Sequence, residues 1–413
     1  MDNPMKTMFK TLIIISLLLI SCIPPQEITV INKMLAKADI IHNNALTVDT
    51  HLDTPMRLLN AEFDINKEND PIKTHSKIDF PRMKEGGLDA AFFAVFIGQG
   101  ERTLEANNEA KHNALSIFEA IHNSIAESSS VAEIALTPAD AYRLEKEGKR
   151  AIYIGMENGY PIGTDIANIK EYYDLGARYI TLCHSSNNDI CDSSTDSTEH
   201  NGLSEFGRQV VTKMNDLGMI IDISHMSDKS FYDVMELSKA PVIASHSCAR
   251  ALCDNPRNIN DEMLEKLAEN GGVIQMCILS DFVKVIEQDS SRINAEKPNI
   301  EKYNILKELS YEEQQKVFRD WETLDETHPP ILATVSDAVD HIDHIVEVAG
   351  INHVGIGTDF DGGGGLEDCF DVSQIKNITI ELIKRGYTEK EIEKIWGGNF
   401  MRVFNKVQLL AKK

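Results

Sequence analysis

Short apolar runs recur along the whole chain, and segments with a helical rhythm fill the gaps between them. After a helical stretch near residues 33–44 the runs read ALTVDTH, AAFFAVFIG, AIYIGMENG, YITLCHS, MIIDISH, PVIASHS, GVIQMCI and HVGIGTDFDG, eight in all. Between them lie helix-like segments such as LEANNEAKHNALSIFEAIHNSIAE, SEFGRQVVTKMNDLG and NDEMLEKLAENG, several closing on the glycine that suits a helix end. Strands alternating with helices give a parallel sheet of the α/β class, and eight such units close most readily into a (β/α)8, TIM-like barrel. The rhythm breaks once, at residues 283–328, a charged and mostly helical stretch between the seventh and eighth runs. We expect an insertion into a single barrel domain spanning 33–413, lying over the face of the strand-to-helix loops as a lid or a dimer contact. The final apolar-periodic helices, in ELIKRGYTEKEIEKIWGGNFMRVFNKV, would close the barrel.

The N-terminus adds a compartment. Lys6 and Lys10 precede or flank the run TLIIISLLLI, which has the length of an export signal and is too short for a comfortable membrane span. Leu19, Ile20, Ser21 and Cys22 resemble a bacterial lipoprotein cleavage box, so residues 1–22 read as a signal with Cys22 as the lipidated residue; an ordinary secretory cut nearby is the alternative. Lipidation would anchor an otherwise soluble, exported protein to a membrane on its periplasmic or extracellular side. Sixty-five acidic against 41 basic residues leave a net charge of −24, which argues against nucleic acid as a partner. The other six cysteines have no zinc-ribbon spacing, and no disulfide pairing is assigned.

Candidate chemistry sits where the runs end. His51 and Asp53, two apart on a strand, project to the same side. Glu157, His184, His225, His246 and Asp359 end later runs, and a barrel gathers all these ends around one mouth. A ring of carboxylates and imidazoles carries a heavy desolvation and repulsion cost, which a divalent cation removes. Imidazole with carboxylate and no thiolate suits zinc, with manganese, cobalt or iron chemically possible. Three histidines (His51, His225, His246) and two carboxylates exceed what one zinc needs, so two metals sharing a carboxylate are expected, with Glu157 the natural bridge. Such a pair, roughly 3.5 Å apart, can hold a hydroxide and polarise a carbonyl at once. His341 and His344, at helical spacing, read instead as a polar helix face. DGGGGLED lacks the Lys and Ser or Thr of a phosphate loop and reads as a flexible rim beside Asp359.

The strings DTHLD, GMENG, CHSSNN, DISHMS, SHS, NPRNI and GTDFDG, in this order, resemble the membrane dipeptidase (renal dipeptidase) family of the amidohydrolase superfamily, and FPRMKEGGLDAAFFAVF is similar to its second-strand segment. The resemblance implies a zinc dipeptidase in which His51 and Asp53 bind one zinc, His225 and His246 the other, and Glu157 both. It further implies that His184 stabilises the oxyanion, Arg257 takes the substrate's carboxylate, and Asp359, rather than Asp361, meets the free α-amine and passes a proton to the leaving amine. Binding both termini would admit dipeptides and reject longer chains. A homodimer is a family expectation. A related enzyme acting on a cyclic amide, lactone or β-lactam would use the same metals, and a binding lipoprotein without activity would show missing ligands, of which there are none.

Overall fold

The computed structural model describes residues 25–70 and 74–412, so the signal segment and Cys22 lie outside the described residues. Nine strands form: β1 (Val48–Leu52), β2 (Ala90–Phe96), β3 (Ala132–Ile134), β4 (Arg150–Glu157), β5 (Ala177–Thr181), β6 (Ile220–Asp222), β7 (Ile243–Ser247), β8 (Val273–Met276) and β9 (Val354–Ile356). Eight run in the order β1-β2-β4-β5-β6-β7-β8-β9, every pairing parallel. The ring closes just beyond β9, where Leu52 pairs with Phe360, Asp53 N donates to Phe360 O (3.0 Å) and Asp359 N donates to His51 O (3.1 Å). This is the expected (β/α)8 barrel.

The ninth strand, β3, pairs only with β4, off the ring, and was not expected. Its three residues, AEI, are too few to show a period. The first helix also starts earlier than expected and spans Pro25–Asn44.

The N-terminal end of the barrel is filled with rings. Phe92 stacks on Tyr153 at 4.8 Å and on Tyr179 at 5.3 Å, and Phe400 of the last helix, Asn399–Leu410, meets Phe92 edge-on at 5.1 Å. That helix therefore plugs one end of the barrel and leaves the other for chemistry. Helix ends match the sequence signals: Ser204 and Asn260 cap Glu205–Leu217 and Asp261–Asn270 by accepting from Gly207 N and Met263 N, and Gly218 and Gly271 end them at φ 72° and 81°.

The 283–328 segment folds into the helices Ser290–Tyr303 and Tyr311–Thr327 and crosses the open end. Glu322 pairs with Arg57 and Glu326 with His75 (3.2 Å), both beyond β1. Phe318 packs edge-on against Phe96 at 5.9 Å. Gln314 Nε2 donates to Gln99 O, and a Cβ on Gly98 would lie 2.1 Å from Gln314 Oε1, so this amide packs directly on the glycine. Lys307 reaches Asp196 at 3.2 Å, in the loop after β5. The insertion is thus a roof fastened to loops on several sides of the mouth.

Candidate metal centre

Each ring residue leaves its strand by a short step. His51 lies in β1 with Asp53 just after it, Glu157 ends β4, His246 lies in β7, and His184, His225 and Asp359 follow β5, β6 and β9. The backbone turns sharply to aim them: Asn158, His225 and Asp359 adopt φ of 72°, 70° and 64°. A non-glycine residue in this region carries strain of about 1–3 kcal/mol and persists only where its surroundings hold it. Asn158 is held by donating to Ile97 O (2.9 Å) and accepting from Tyr160 N and Asn188 Nδ2 (3.1 and 3.0 Å).

Glu157 stands at the centre, and its two oxygens face different partners. Oε2 lies 3.4 Å from His51 Nε2, whereas Oε1 lies 3.1 Å from His225 Nε2 and 3.5 Å from His246 Nε2. His51 Nε2 is also 3.5 Å from Asp53 Oδ2. His184 and Asp359 close the ring at longer range, 3.8 Å from Glu157 and 4.0 Å from His51. All these groups fall into three overlapping sets able to hold a metal, His51/Glu157/His246, Glu157/His184/His225 and His51/Asp53/Asp359.

The donor atoms are not satisfied by protein. His51 Nε2, Asp53 Oδ1 and His225 Nδ1 are buried without a hydrogen-bond partner. His225 Nε2 and His246 Nε2 point at each other across 2.9 Å. The electrostatics pull in opposing directions. Burial moves His225 and His246 well below the usual imidazole value and His184 down to about 4, while burial and the neighbouring carboxylates push Asp53 up and Asp359 well up. Burial also opposes the Glu157 charge, but His51 and His225 outweigh it and hold this carboxyl well below its usual range. Imidazole and carboxylate donors, no thiolate among them, fit zinc ions, which would give each converging lone pair a partner.

Beyond the ring, Arg257 lies in the loop after β7 and is 6% exposed. It donates one long bond to His246 O (3.4 Å), its guanidinium sits 5.2 Å from the Phe282 ring, and its Nε has no partner. Among the described residues no carboxylate pairs with it, so a buried cation is left to take an anion from outside. The two aspartates near it part ways. Asp361 accepts from Thr54 Oγ1, Ser76 Oγ and Lys77 N at 2.8, 3.1 and 2.6 Å, whereas among the described residues the Asp359 carboxylate accepts only from the Cys277 thiol (3.9 Å), with His51 Nε2 4.0 Å away. Asp361 is thereby committed to structure and Asp359 is open.

One expectation needs correction. His341 is buried on the inner face of the helix Val335–Ala349, not on a polar one: Nδ1 accepts from Ala249 N (3.1 Å), which leaves Nε2 to donate to Val283 O (2.7 Å). Only His344 lies outward, paired with Asp261 at 2.7 Å. The glycine stretch lies beside Asp359 as expected, with Gly362 and Gly363 exposed. A Cβ on Gly362 would lie 2.1 Å from Asp53 Oδ2 and 2.4 Å from Asp359 Oδ1, and one on Gly364 would lie 2.0 Å from Thr358 O, so the turn packs directly against both carboxylates.

Beneath the ring lies a supporting layer that sequence reasoning misses. His51 Nδ1 faces Tyr179 OH (2.8 Å), and Gly155 leaves room for that ring, since a Cβ there would lie 2.1 Å from Tyr179 Cζ. His246 Nδ1 faces Ser245 Oγ (2.8 Å), which is bonded in turn to Asp222. Asp49 accepts from His51 N and from Thr358 N and Oγ1, tying β1 to the chain beyond β9, and burial pushes its carboxyl up to about 6. Asp49 and Asp222 stand in the sequence as charges inside apolar runs, which is the signal that could have found them.

Comparison with known proteins gives the lineage. The chain matches the family model described as membrane dipeptidase (peptidase family M19) over residues 35–413. It is 31% identical over 390 residues to an uncharacterized dipeptidase of Schizosaccharomyces pombe, covering 90% of this chain and 82% of that one. Dipeptidase 3 of Macaca fascicularis is 31% identical over 391 residues, with 92% and 68% covered. The structure of the probable dipeptidase PvdM from Pseudomonas aeruginosa superposes with a TM-score of 0.79 at 30% identity, covering 92% of this chain and all of that one (100%). A metallo peptidase from Rhodobacter sphaeroides, liganded with a phosphinate mimic of the dipeptide L-Ala-D-Ala, shares the fold at a TM-score of 0.71 and 22% identity, with 88% and 99% covered. The chain belongs to the membrane dipeptidase family of metallopeptidases, family M19, on an amidohydrolase-like barrel.

Proposed function

We propose that this chain is a binuclear zinc dipeptidase that hydrolyses the peptide bond of free dipeptides. The observation that carries this reading is the Glu157 carboxylate, with one oxygen toward His51 and the other toward His225 and His246. His51 and Asp53 would hold one zinc, His225 and His246 the other, and Glu157 both. Zinc bound there supplies Lewis acidity toward the scissile carbonyl and lowers the pKa of water.

The chain's own residues do the rest. Arg257 donates to the substrate's α-carboxylate, and Asp359 accepts from its α-ammonium. As water oxygen adds to the carbonyl carbon, His184 donates its Nε2–H to the carbonyl oxygen where negative charge builds. Asp359 takes the proton that this water gives up and passes it to the amine nitrogen as the C–N bond breaks, so that two amino acids leave. The roof of residues 290–327 shields the site from water and from longer chains. That a protein of this fold takes a phosphinate mimic of a dipeptide supports the substrate class.

The test is amino-acid release from free dipeptides, their N-acetylated and C-amidated forms, and a tripeptide, with zinc removed and restored. Much faster cleavage of free dipeptides than of the blocked forms, lost on chelation and regained with zinc, is the expected result. Equal cleavage of the blocked forms would overturn the two-ended site and favour a related amidohydrolase acting on a cyclic amide, lactone or β-lactam.

A further inference from the structure

We infer that Asp222, a buried carboxylate that touches neither substrate nor metal ligand, is a positioning residue that fixes His246 in the tautomer a metal requires. Asp222 closes β6 inside the barrel, and four donors surround it. Oδ1 accepts from Ser224 N (3.0 Å) and Ser245 N (2.8 Å), and Oδ2 accepts from Ser245 Oγ (2.6 Å) and Thr181 Oγ1 (2.5 Å). A carboxylate is an acceptor only, so the single hydroxyl proton of Ser245 is spent on it, at a length typical of a charge-assisted bond. The lone pair left on Ser245 Oγ faces His246 Nδ1 at 2.8 Å, and only an N–H can satisfy it there. His246 therefore carries its proton on Nδ1, and Nε2 presents a bare lone pair toward Glu157 and His225.

The other two imidazoles lack such a fixed chain. His225 Nδ1 has no partner, and His51 Nδ1 faces a tyrosine hydroxyl that can donate or accept. Of the two proposed zinc positions, the one shared by His225 and His246 therefore depends on Asp222. This consequence rests on the two-zinc reading, but the tautomer itself does not.

Asp222→Asn reverses the chain with almost no change of shape. The two backbone N–H groups keep the amide oxygen at the Oδ1 position, so Nδ2 faces Ser245 and Thr181 and donates to them. Ser245 must then turn its proton to His246 Nδ1, and the imidazole proton moves to Nε2, where the lone pair is needed. The same substitution behind a catalytic histidine is known to impose the wrong tautomer. Thr181→Val removes a hydroxyl from the same carboxylate without reversing anything and serves as the structural control.

The experiment has two readouts on the full chain. Nitrogen-15 spectra of histidine-labelled, metal-free protein, with the His246 signals assigned by their loss in His246→Gln, report the tautomer independently of zinc. Zinc per chain and zinc affinity, by competition with a chelator, report the consequence. The parent and Thr181→Val should show Nδ1–H at His246, and Asp222→Asn should show Nε2–H and lose about tenfold or more in affinity for one zinc. Ser245→Ala, which breaks the chain without reversing it, should weaken the same zinc less and covers the case in which Asp222→Asn does not fold. Nε2–H at His246 in the parent overturns the inference, as does an unchanged tautomer in Asp222→Asn or undiminished zinc affinity in both Asp222→Asn and Ser245→Ala. A parent that binds fewer than two zincs while showing Nδ1–H at His246 refutes the two-metal reading and leaves the tautomer assignment standing.

Discussion

Replacing Arg257 by methionine separates substrate binding from stability more cleanly than any other change in the site. The guanidinium is buried, has one protein hydrogen bond at 3.4 Å and no carboxylate partner among the described residues. A substrate carboxylate would receive two charge-assisted bonds from its planar fork, each worth about 1.5–3 kcal/mol. Allowing for water that replaces part of this in the variant, the loss is about 3–4 kcal/mol, or roughly 10² to 10³ in kcat/KM for free dipeptides. C-amidated dipeptides, which offer no carboxylate, should change by less than about fivefold, a bound on non-specific damage of about 1 kcal/mol.

The folded state should respond in the opposite sense. Removing a buried charge with no acid partner relieves desolvation, and methionine keeps most of the packing against Phe282. The lost cation–π contact, worth about 2 kcal/mol at a desolvated site, acts against that relief, so Tm should stay within about 2–4 °C of the parent. The assay pairs steady-state kinetics on free and amidated dipeptides with thermal unfolding. A large fall in Tm, or an equal fall in kcat/KM for both substrate forms, would show that Arg257 supports the fold and would refute its role as carboxylate receptor.

Four further outcomes follow, three from the structure and one from the sequence. Glu157→Gln keeps the size of the central side chain but removes its charge, and on the proposed two-zinc reading zinc per chain, measured by metal analysis, should fall from two to one or fewer. Phe318→Ala deletes the roof ring that backs Phe96, itself 4.8 Å from the His184 ring, and should lower kcat about tenfold with zinc content unchanged. His42 is fully buried between Gly86 O and Thr379, and burial holds it down at about 4 against 6.5 when unfolded; because the folded value is the lower one, the neutral form stabilises above pH 6.5 and about 3 kcal/mol is lost as pH falls to 4, a loss that unfolding titrations should find absent in His42→Gln. The lipid box read at Cys22 predicts that Cys22→Ala moves the protein from the membrane fraction to the soluble one, as fractionation and immunoblotting would show.

The barrel and the ring of strand-end residues were legible because both follow from periodicity. A strand that ends on His51 and Asp53, or on Glu157, announces its own end, and a closed parallel sheet can only gather such ends at one mouth. The limits of that reading are equally physical. His341 and His344 differ by three positions on one helix, yet one is buried against Ala249 and Val283 and the other meets Asp261 at the surface; the helix's rotation against its neighbours decides this, and spacing alone does not. The part played by Arg257 came only through family resemblance, because a loop arginine has no period to betray it. Gly155 is required by the ring of Tyr179 and Gly98 lies under the amide of Gln314, both far along the chain, and no local pattern encodes a partner at that distance.

Asp49 and Asp222 mark where a closer reading was possible. An apolar strand interior gives a carboxylate no solvent, so its presence inside ALTVDTH or MIIDISH demands donors from neighbouring strands. In the folded barrel those donors are the hydroxyls and N–H groups of Thr358, Ser245, Thr181 and Ser224, and the chains they start lead to the backbone of His51 and the imidazole of His246. A charge within a buried run that ends on a candidate ligand is therefore a mark, visible in the amino-acid sequence itself, of the layer that supports such ligands, on its own strand for Asp49 and on the next for Asp222. The mark is informative because burying a carboxylate is costly unless donors offset that cost, and the donors gathered here reach on to the candidate ligands.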